Sequence, residues 1–240
     1  MIVIFTGLPG SGKSYKLART VVEILYRNKN LYERQVRKAS AEFGEAPQRR
    51  ILYTNLKLAA AVEAEFRPYI RTWSELRELT PLRDCDVVID EVATYFDARL
   101  WETLSLEMRR WLAQHRKFGI EIYGTSQDFA QVDKAFRRLT SDLLYLSKLV
   151  GSRDISATLP SPKFIWGLSL VRTLDPTVYD EQKSKFAGAG GIPKFMWISR
   201  KGTEIFDTRA EVRLSGALPM RHIARVCELP NCTFHKVQHV

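Results

Sequence analysis

Near its start the chain carries a stretch able to hold a polyphosphate. Gly7-Leu8-Pro9-Gly10-Ser11-Gly12-Lys13-Ser14 fills every fixed position of the pattern G-x-x-x-x-G-K-[ST]. The apolar run from Ile2 to Phe5 precedes it and a helical pattern follows, so it lies between a strand and a helix, the context this pattern requires. Glycines let backbone N–H groups turn inward around phosphate oxygens, and the helix N-terminus adds positive potential. Lys13 would reach the β- and γ-phosphates of ATP, and Ser14 would give its hydroxyl to Mg²⁺. Gly7, Pro9, Gly10, Ser11, Gly12 and Tyr15 complete the expected nucleotide contacts. The competing reading is a glycine-rich turn that precedes an ordinary helix.

Such a loop needs a carboxylate on a neighbouring strand, and "DCDVVIDE", 84 to 91, supplies one where its apolar run ends. Asp90 is the expected residue of the magnesium shell, and Glu91 the general base that polarises the attacking water. Acidic residues capping the next helix are the plainer alternative. Asp84 and Asp86, at the other end of that strand, read as solvated charges. "YGTSQD" puts Thr125, Ser126 and Gln127 at the end of a later strand, where Gln127 would sense the γ-phosphate or orient water, or else be a turn residue bonded to backbone. The developing transition-state charge also needs a cation, which motors of this class often borrow from the next subunit. Arg109, Arg110, Arg116, Arg137 and Arg138 are the choices, with Arg116 and Arg137 preferred, though each also reads as a surface residue.

The elements that must position these groups alternate between strand and helix. A helix is expected from Lys13 to about Asn28, with charged residues 30 to 50 as its extension or as a mobile loop. Strands follow at 50 to 55 and 69 to 73. From Trp101 to Phe118, Leu104, Met108, Trp111, Leu112 and His115 recur at helical spacing and Gly119 ends the helix; 120 to 127 is then another strand. The class is α/β, a P-loop NTPase fold with a mostly parallel sheet flanked by helices. After residue 141 the pattern becomes strand-like without clear helices, as in antiparallel hairpins, and "AGAGG", 187 to 191, reads as a loop. The expected organisation is an ATPase domain over 1–210, with a core at 1–140 and an antiparallel extension at 141–210, then a tail at 211–240.

Composition constrains partners and compartment. Lys and Arg outnumber Asp and Glu by 37 to 27, giving a net charge of +10 in 240 residues, so a polyanion such as nucleic acid or an anionic membrane surface is a reasonable partner. Cys85, Cys227 and Cys232 do not make a disulfide framework and fit a reducing cytosol. Met1 to Phe5 is too short for a signal-peptide core, and no run in residues 1–240 reaches the roughly 18 to 20 apolar residues of a membrane helix. Cys227, Cys232, His235 and His239 lie within thirteen residues and are ligand types that suit Zn²⁺. The two-residue gap between Cys232 and His235 would leave only a small knuckle, and an irregular tail without metal is the other reading.

Four stretches together resemble the zonula occludens toxin family, the assembly ATPases of filamentous bacteriophages. They are "IFTGLPGSGKS" near the N-terminus, "VVIDEVATYFDAR" at 87 to 99, "WLAQHRKFGIEIYGTSQDFAQVDKAFRRL" at 111 to 139 and "KGTEIFDTRAE" at 201 to 211. The likeness runs in order over roughly the first 210 residues. It implies a motor in which Gly12, Lys13 and Ser14 bind ATP and Mg²⁺, Asp90 and Glu91 form the second motif, and Gln127 is the sensor. It also implies a homo-oligomeric ring at the cytoplasmic face of the host inner membrane, which extrudes single-stranded phage DNA while coat or membrane assembly proteins join it. Family members usually carry a transmembrane helix and a periplasmic tail beyond the ATPase domain. The sequence to Val240 has neither, so an excised cytosolic domain or a shorter relative is expected. Two other functions remain open: a related viral genome-packaging ATPase, and a nucleotide-dependent assembly or binding protein with little motor activity.

Overall fold

The computed structural model describes residues 1–39, 48–99, 104–151, 167–176 and 189–198. Eight strands form its central sheet: β1 (Ile2–Thr6), β2 (Leu52–Thr54), β3 (Ile70–Thr72), β4 (Asp86–Ile89), β5 (Glu121–Ser126), β6 (Asp142–Gly151), β7 (Gly167–Leu174) and β8 (Ala189–Ile198). The order across the sheet is β3-β2-β4-β5-β1-β6-β7-β8. The first six strands in that order run parallel, while β6 to β7 and β7 to β8 are antiparallel. The helices are α1 (Lys13–Ala39), α2 (Ala60–Phe66), α3 (Val92–Tyr95), α4 (Leu106–Gln114) and α5 (Lys134–Leu139).

β1 is apolar from Ile2 to Phe5 because both of its faces are covered. Ile2 and Ile4 point into a core with Val87, Ile89, Trp111, Leu112 and Phe136. Val3 and Phe5 point the other way, against Leu17, Val21 and Leu25 of α1. The two-residue period of the strand thus divides one short sequence between two cores.

One open expectation is settled and three change in detail. α1 continues past Asn28 to Ala39, and Arg37 and Lys38 in its last turn suit the negative end of the helix dipole. The helix expected from Trp101 starts only at Leu106, where the Ser105 hydroxyl accepts the Met108 N–H at 3.2 Å; residues 100–103 lie outside the described ones. β6 pairs parallel to β1 on one edge and antiparallel to β7 on the other, so the antiparallel extension begins beyond β6 rather than with it. The six-residue α5 supplies the crossover and is too short to show a periodic signal. Residues 189 to 191 of the glycine-rich stretch belong to β8 instead of a loop.

The two acidic residues at the start of β4 differ. Asp84 is exposed, as a solvated charge should be, but Asp86 has no exposed surface at all. It accepts hydrogen bonds from Arg27, Asn28 and Arg50, which lie far from it in sequence. The tail with Cys227, Cys232, His235 and His239 lies outside the described residues. No helix among the described residues is long and apolar enough to cross a membrane.

Candidate active site

β1 ends at Thr6, and the chain turns through Gly7–Gly12 before α1 starts at Lys13. Gly7 has φ +147° and Gly12 φ +92°, both unfavourable for a residue with a side chain. A Cβ on Gly7 would run into the Leu146 carbonyl oxygen of β6, and one on Gly12 would meet Ile198 of β8 at 2.9 Å. The loop is therefore pressed onto neighbouring strands, while Leu8, Pro9 and Gly10 form its exposed rim. Lys13 is only 7% exposed, and its ammonium donates to the carbonyls of Gly7 at 2.9 Å and Leu8 at 3.2 Å. Burial lowers its pKa, against the opposing pull of Glu91 and Asp90. The Ser11 hydroxyl is buried with no hydrogen-bond partner among the described residues. Ser14 lies part-exposed in the first turn of α1. Tyr15 is buried, and its hydroxyl donates to the Trp197 carbonyl of β8 at 3.2 Å, so that side chain is committed to the sheet extension.

The facing wall comes from β4 and β5. β5 lies between β1 and β4, so its C-terminal residues stand between the loop and the acidic pair. Thr125 is fully buried and its hydroxyl serves both acidic residues: it donates to Asp90 Oδ1 at 2.6 Å and accepts the Glu91 N–H at 2.9 Å. Asn55, just past β2, grips the Asp90 backbone from the other side. Its Oδ1 accepts the Asp90 N–H at 2.7 Å, and its Nδ2 donates to the Asp90 carbonyl at 3.1 Å.

Glu91 takes the left-handed conformation, φ 54° and ψ 67°, and α3 turns from it directly over β5. Gly124 makes that turn possible, because any side chain there would strike Val92 of α3. Gln127 Nε2 donates to Glu91 Oε1 across a long 3.4 Å. Burial raises the pKa of Asp90 and, together with the Asp90 charge, that of Glu91; Gln127 and Lys13 oppose the second shift. An acidic pair with neutral partners and a lysine opposite is suited to proton transfer and to holding a hard cation.

The family model for zonular occludens toxin (Zot) matches residues 1–159. The chain belongs to the Zot family. No curated protein matches the sequence. Among solved structures, the N-terminal domain of zonular occludens toxin from Neisseria meningitidis shares 18% identity at TM-score 0.49, covering 86% of this chain and 98% of that one. The genome packaging NTPase B204 from Sulfolobus turreted icosahedral virus 2, in complex with AMPPCP, shares 12% at TM-score 0.45, covering 81% and 95%. The flagellar accessory protein FlaH from Methanocaldococcus jannaschii shares 11% at TM-score 0.44, covering 72% and 77%.

In this Zot-family chain the C-terminal ends of β1, β4 and β5 gather Gly7, Pro9, Gly10, Ser11, Gly12, Lys13, Ser14, Asp90, Glu91 and Gln127 at one end of the sheet. The preferred arginines lie elsewhere. Arg116 donates to the Ser141 hydroxyl at 3.1 Å, beside the start of β1 and so at the opposite end. Arg137 is part-exposed in the last turn of α5, which leads down to that same end. His115, next to Arg116, is buried with Nδ1 against the Leu112 carbonyl at 2.8 Å, a structural position. Neither Asn55 nor Gly124 carries a strong local signal of its role in the sequence. "YTN" offers only a polar residue after a short strand, and a glycine inside "EIYGTS" is a weak sign of close backbone approach.

Proposed function

We propose that the chain is an ATP-hydrolysing motor that drives assembly of a filamentous phage and extrusion of its single-stranded DNA at the cytoplasmic face of the host inner membrane. The observation that carries the catalytic part is the arrangement of a complete phosphate loop across β5 from an acidic pair wired to Thr125 and Gln127. Membership of the Zot family supports the phage setting.

The residues present fit a magnesium nucleotide. Ser14 and Asp90 offer hard oxygen donors, and the loop supplies a buried lysine and a Ser11 hydroxyl without a partner among the described residues. Mg²⁺, when bound there, would neutralise charge on the β- and γ-phosphate oxygens. Lys13 exchanges its two loop carbonyls for phosphate oxygens, which offsets part of its burial cost with an opposite charge. Glu91, with its pKa raised toward the working range of a base, takes the proton of the attacking water, and Gln127 fixes the orientation of its carboxylate.

The transition-state cation comes from an adjacent copy in a homo-oligomeric ring. For Arg116 or Arg137 to serve, that copy must bring the opposite end of its sheet to this site. The net charge of +10 favours phosphate-backbone contact with DNA without sequence readout.

The test is steady-state ATP hydrolysis with Mg²⁺ across a protein-concentration series, with and without single-stranded DNA, and with Lys13→Ala as blank. A rate rising more than linearly with concentration, and further with DNA, is expected. Turnover no higher than the blank overturns the ATPase reading. Slow turnover indifferent to both variables overturns the motor and leaves a nucleotide-dependent assembly protein.

A further inference from the structure

The antiparallel extension does more than widen the sheet. Ser169 of β7 has no exposed surface, and its hydroxyl donates to the Ser11 carbonyl of the phosphate loop at 2.8 Å, across 158 residues of sequence. Met196 and Ile198 of β8 pack against Gly12 from the same side, and the Tyr15 hydroxyl is tied to the Trp197 carbonyl. Every described peptide bond is trans, so the N–H of Gly12 points opposite to the Ser11 carbonyl. A carbonyl held on β7 thus turns that N–H away from the sheet extension and into the space the loop encloses.

This peptide needs an external hold. Gly12 has no side chain to restrict it, and its φ of +92° is one of several that glycine reaches readily. Without the Ser169 hydroxyl the Ser11 carbonyl would lose that donor, on the side where apolar Met196 and Ile198 pack against Gly12. Rotation of the peptide plane would relieve that, and would carry the Gly12 N–H away from an anion.

We infer that Ser169 is a positioning residue for phosphate binding: it aims the Gly12 backbone N–H at the polyphosphate by holding the Ser11 carbonyl on β7. The inference rests on the nucleotide reading of the loop and extends it to a residue of the sheet extension. The ligand class is any group with adjacent phosphates, so inorganic pyrophosphate should feel the loss as ATP does.

The experiment is calorimetric titration of wild type, Ser169→Ala, Ser169→Cys and Leu174→Ala with Mg-ATP and with Mg-pyrophosphate, alongside thermal melts. Leu174 is buried on the other face of β7 and does not touch the loop, so its variant reports loss of stability alone. Removal of one buried donor predicts about tenfold weaker binding of both ligands to Ser169→Ala. The thiol, a weak donor of similar size, should recover part of it, while Leu174→Ala binds as wild type despite a lower Tm. Equal affinity of Ser169→Ala and wild type overturns the inference, as does equal weakening by Leu174→Ala. If wild type binds neither ligand, the nucleotide reading itself fails.

Discussion

Strand β4 carries acidic residues at both ends, and the two ends are built on opposite terms. At its start Asp86, fully buried, accepts from Arg50 Nε at 3.0 Å and Nη2 at 2.9 Å, from Arg27 at 2.9 Å and from Asn28 at 2.8 Å. Arg27 also reaches Glu121 at 3.1 Å, and Tyr123 donates to the same carboxylate at 2.8 Å. This closed network binds α1 and the approach to β2 onto the sheet. At the other end, about 13 Å away for four residues at about 3.3 Å each, the hydrogen-bond partners of Asp90 and Glu91 among the described residues are neutral, one of them long. Glu91 also sits in a left-handed conformation. Among the described residues one carboxylate is paired with two arginines and the other two have no cation within hydrogen-bond reach, the division expected if those two are the ones used in chemistry.

If that division is right, the same kind of substitution should have opposite consequences at the two ends. The largest effect is expected for Glu91→Gln, which should slow ATP hydrolysis by about two to four orders of magnitude, as loss of a general base implies. Nucleotide affinity should be unchanged in the same titration; near-normal turnover would place the base elsewhere. Next comes Asp86→Ala, which strands two part-buried guanidinium groups. It should cost about 3–4 kcal/mol in urea unfolding, with the ATP affinity of the folded fraction intact. If Asp86→Ala instead impaired binding at unchanged stability, the two ends would not be separable.

The site was more legible than its foundation. The phosphate loop shows in sequence because its glycines, lysine and serine must be contiguous, and "VVIDE" shows because a strand and its last carboxylates are neighbours. Asp86 misled for the converse reason. Its partners Arg27 and Arg50 are 59 and 36 residues away, so nothing local distinguishes it from a solvated Asp84. β6 was legible as a strand, but not its pairing, since apolar alternation carries no information on whether a neighbour is parallel. Asn55 and Ser169 each act on the backbone of another element, and a lone polar residue at a strand end or inside a strand gives no hint of that. The glycine at 124 is visible only as a weak strand residue until α3 is placed over it.

Asn55 tests whether the exposed end is also positioned from outside. Asn55→Ala removes the partner of the Asp90 N–H and should destabilise the protein by about 1–3 kcal/mol, the cost of stranding a buried donor. If the Asp90 backbone it grips also positions the adjoining Glu91, the variant should further lower kcat about tenfold while leaving KM for ATP within about twofold, because the ground-state phosphate contacts come from the loop. A fall in stability with unchanged kcat would reduce Asn55 to a structural tie.

The smallest effect is in pH dependence, and its sign differs between the ends. Burial raises the folded-state pKa values of Asp90 and Glu91, so the folded protein keeps protons that the unfolded chain releases. Their contribution to stability is therefore fully present below the ordinary carboxylate range and is lost as pH rises through the raised folded values. At the opposite end burial depresses His115, while bonds from Tyr123 and Arg27 outweigh burial to lower Glu121. Those contributions are present above the ordinary values and are lost as pH falls through the depressed ones. In the wild type the two trends oppose each other on acidification. Glu91→Gln removes part of the first, so it should melt higher than wild type at neutral pH, and its Tm should fall more steeply on acidification. Parallel Tm curves for the two proteins would mean that Glu91 is not held under strain by its burial, and the contrast between the ends of β4 would then rest on geometry alone.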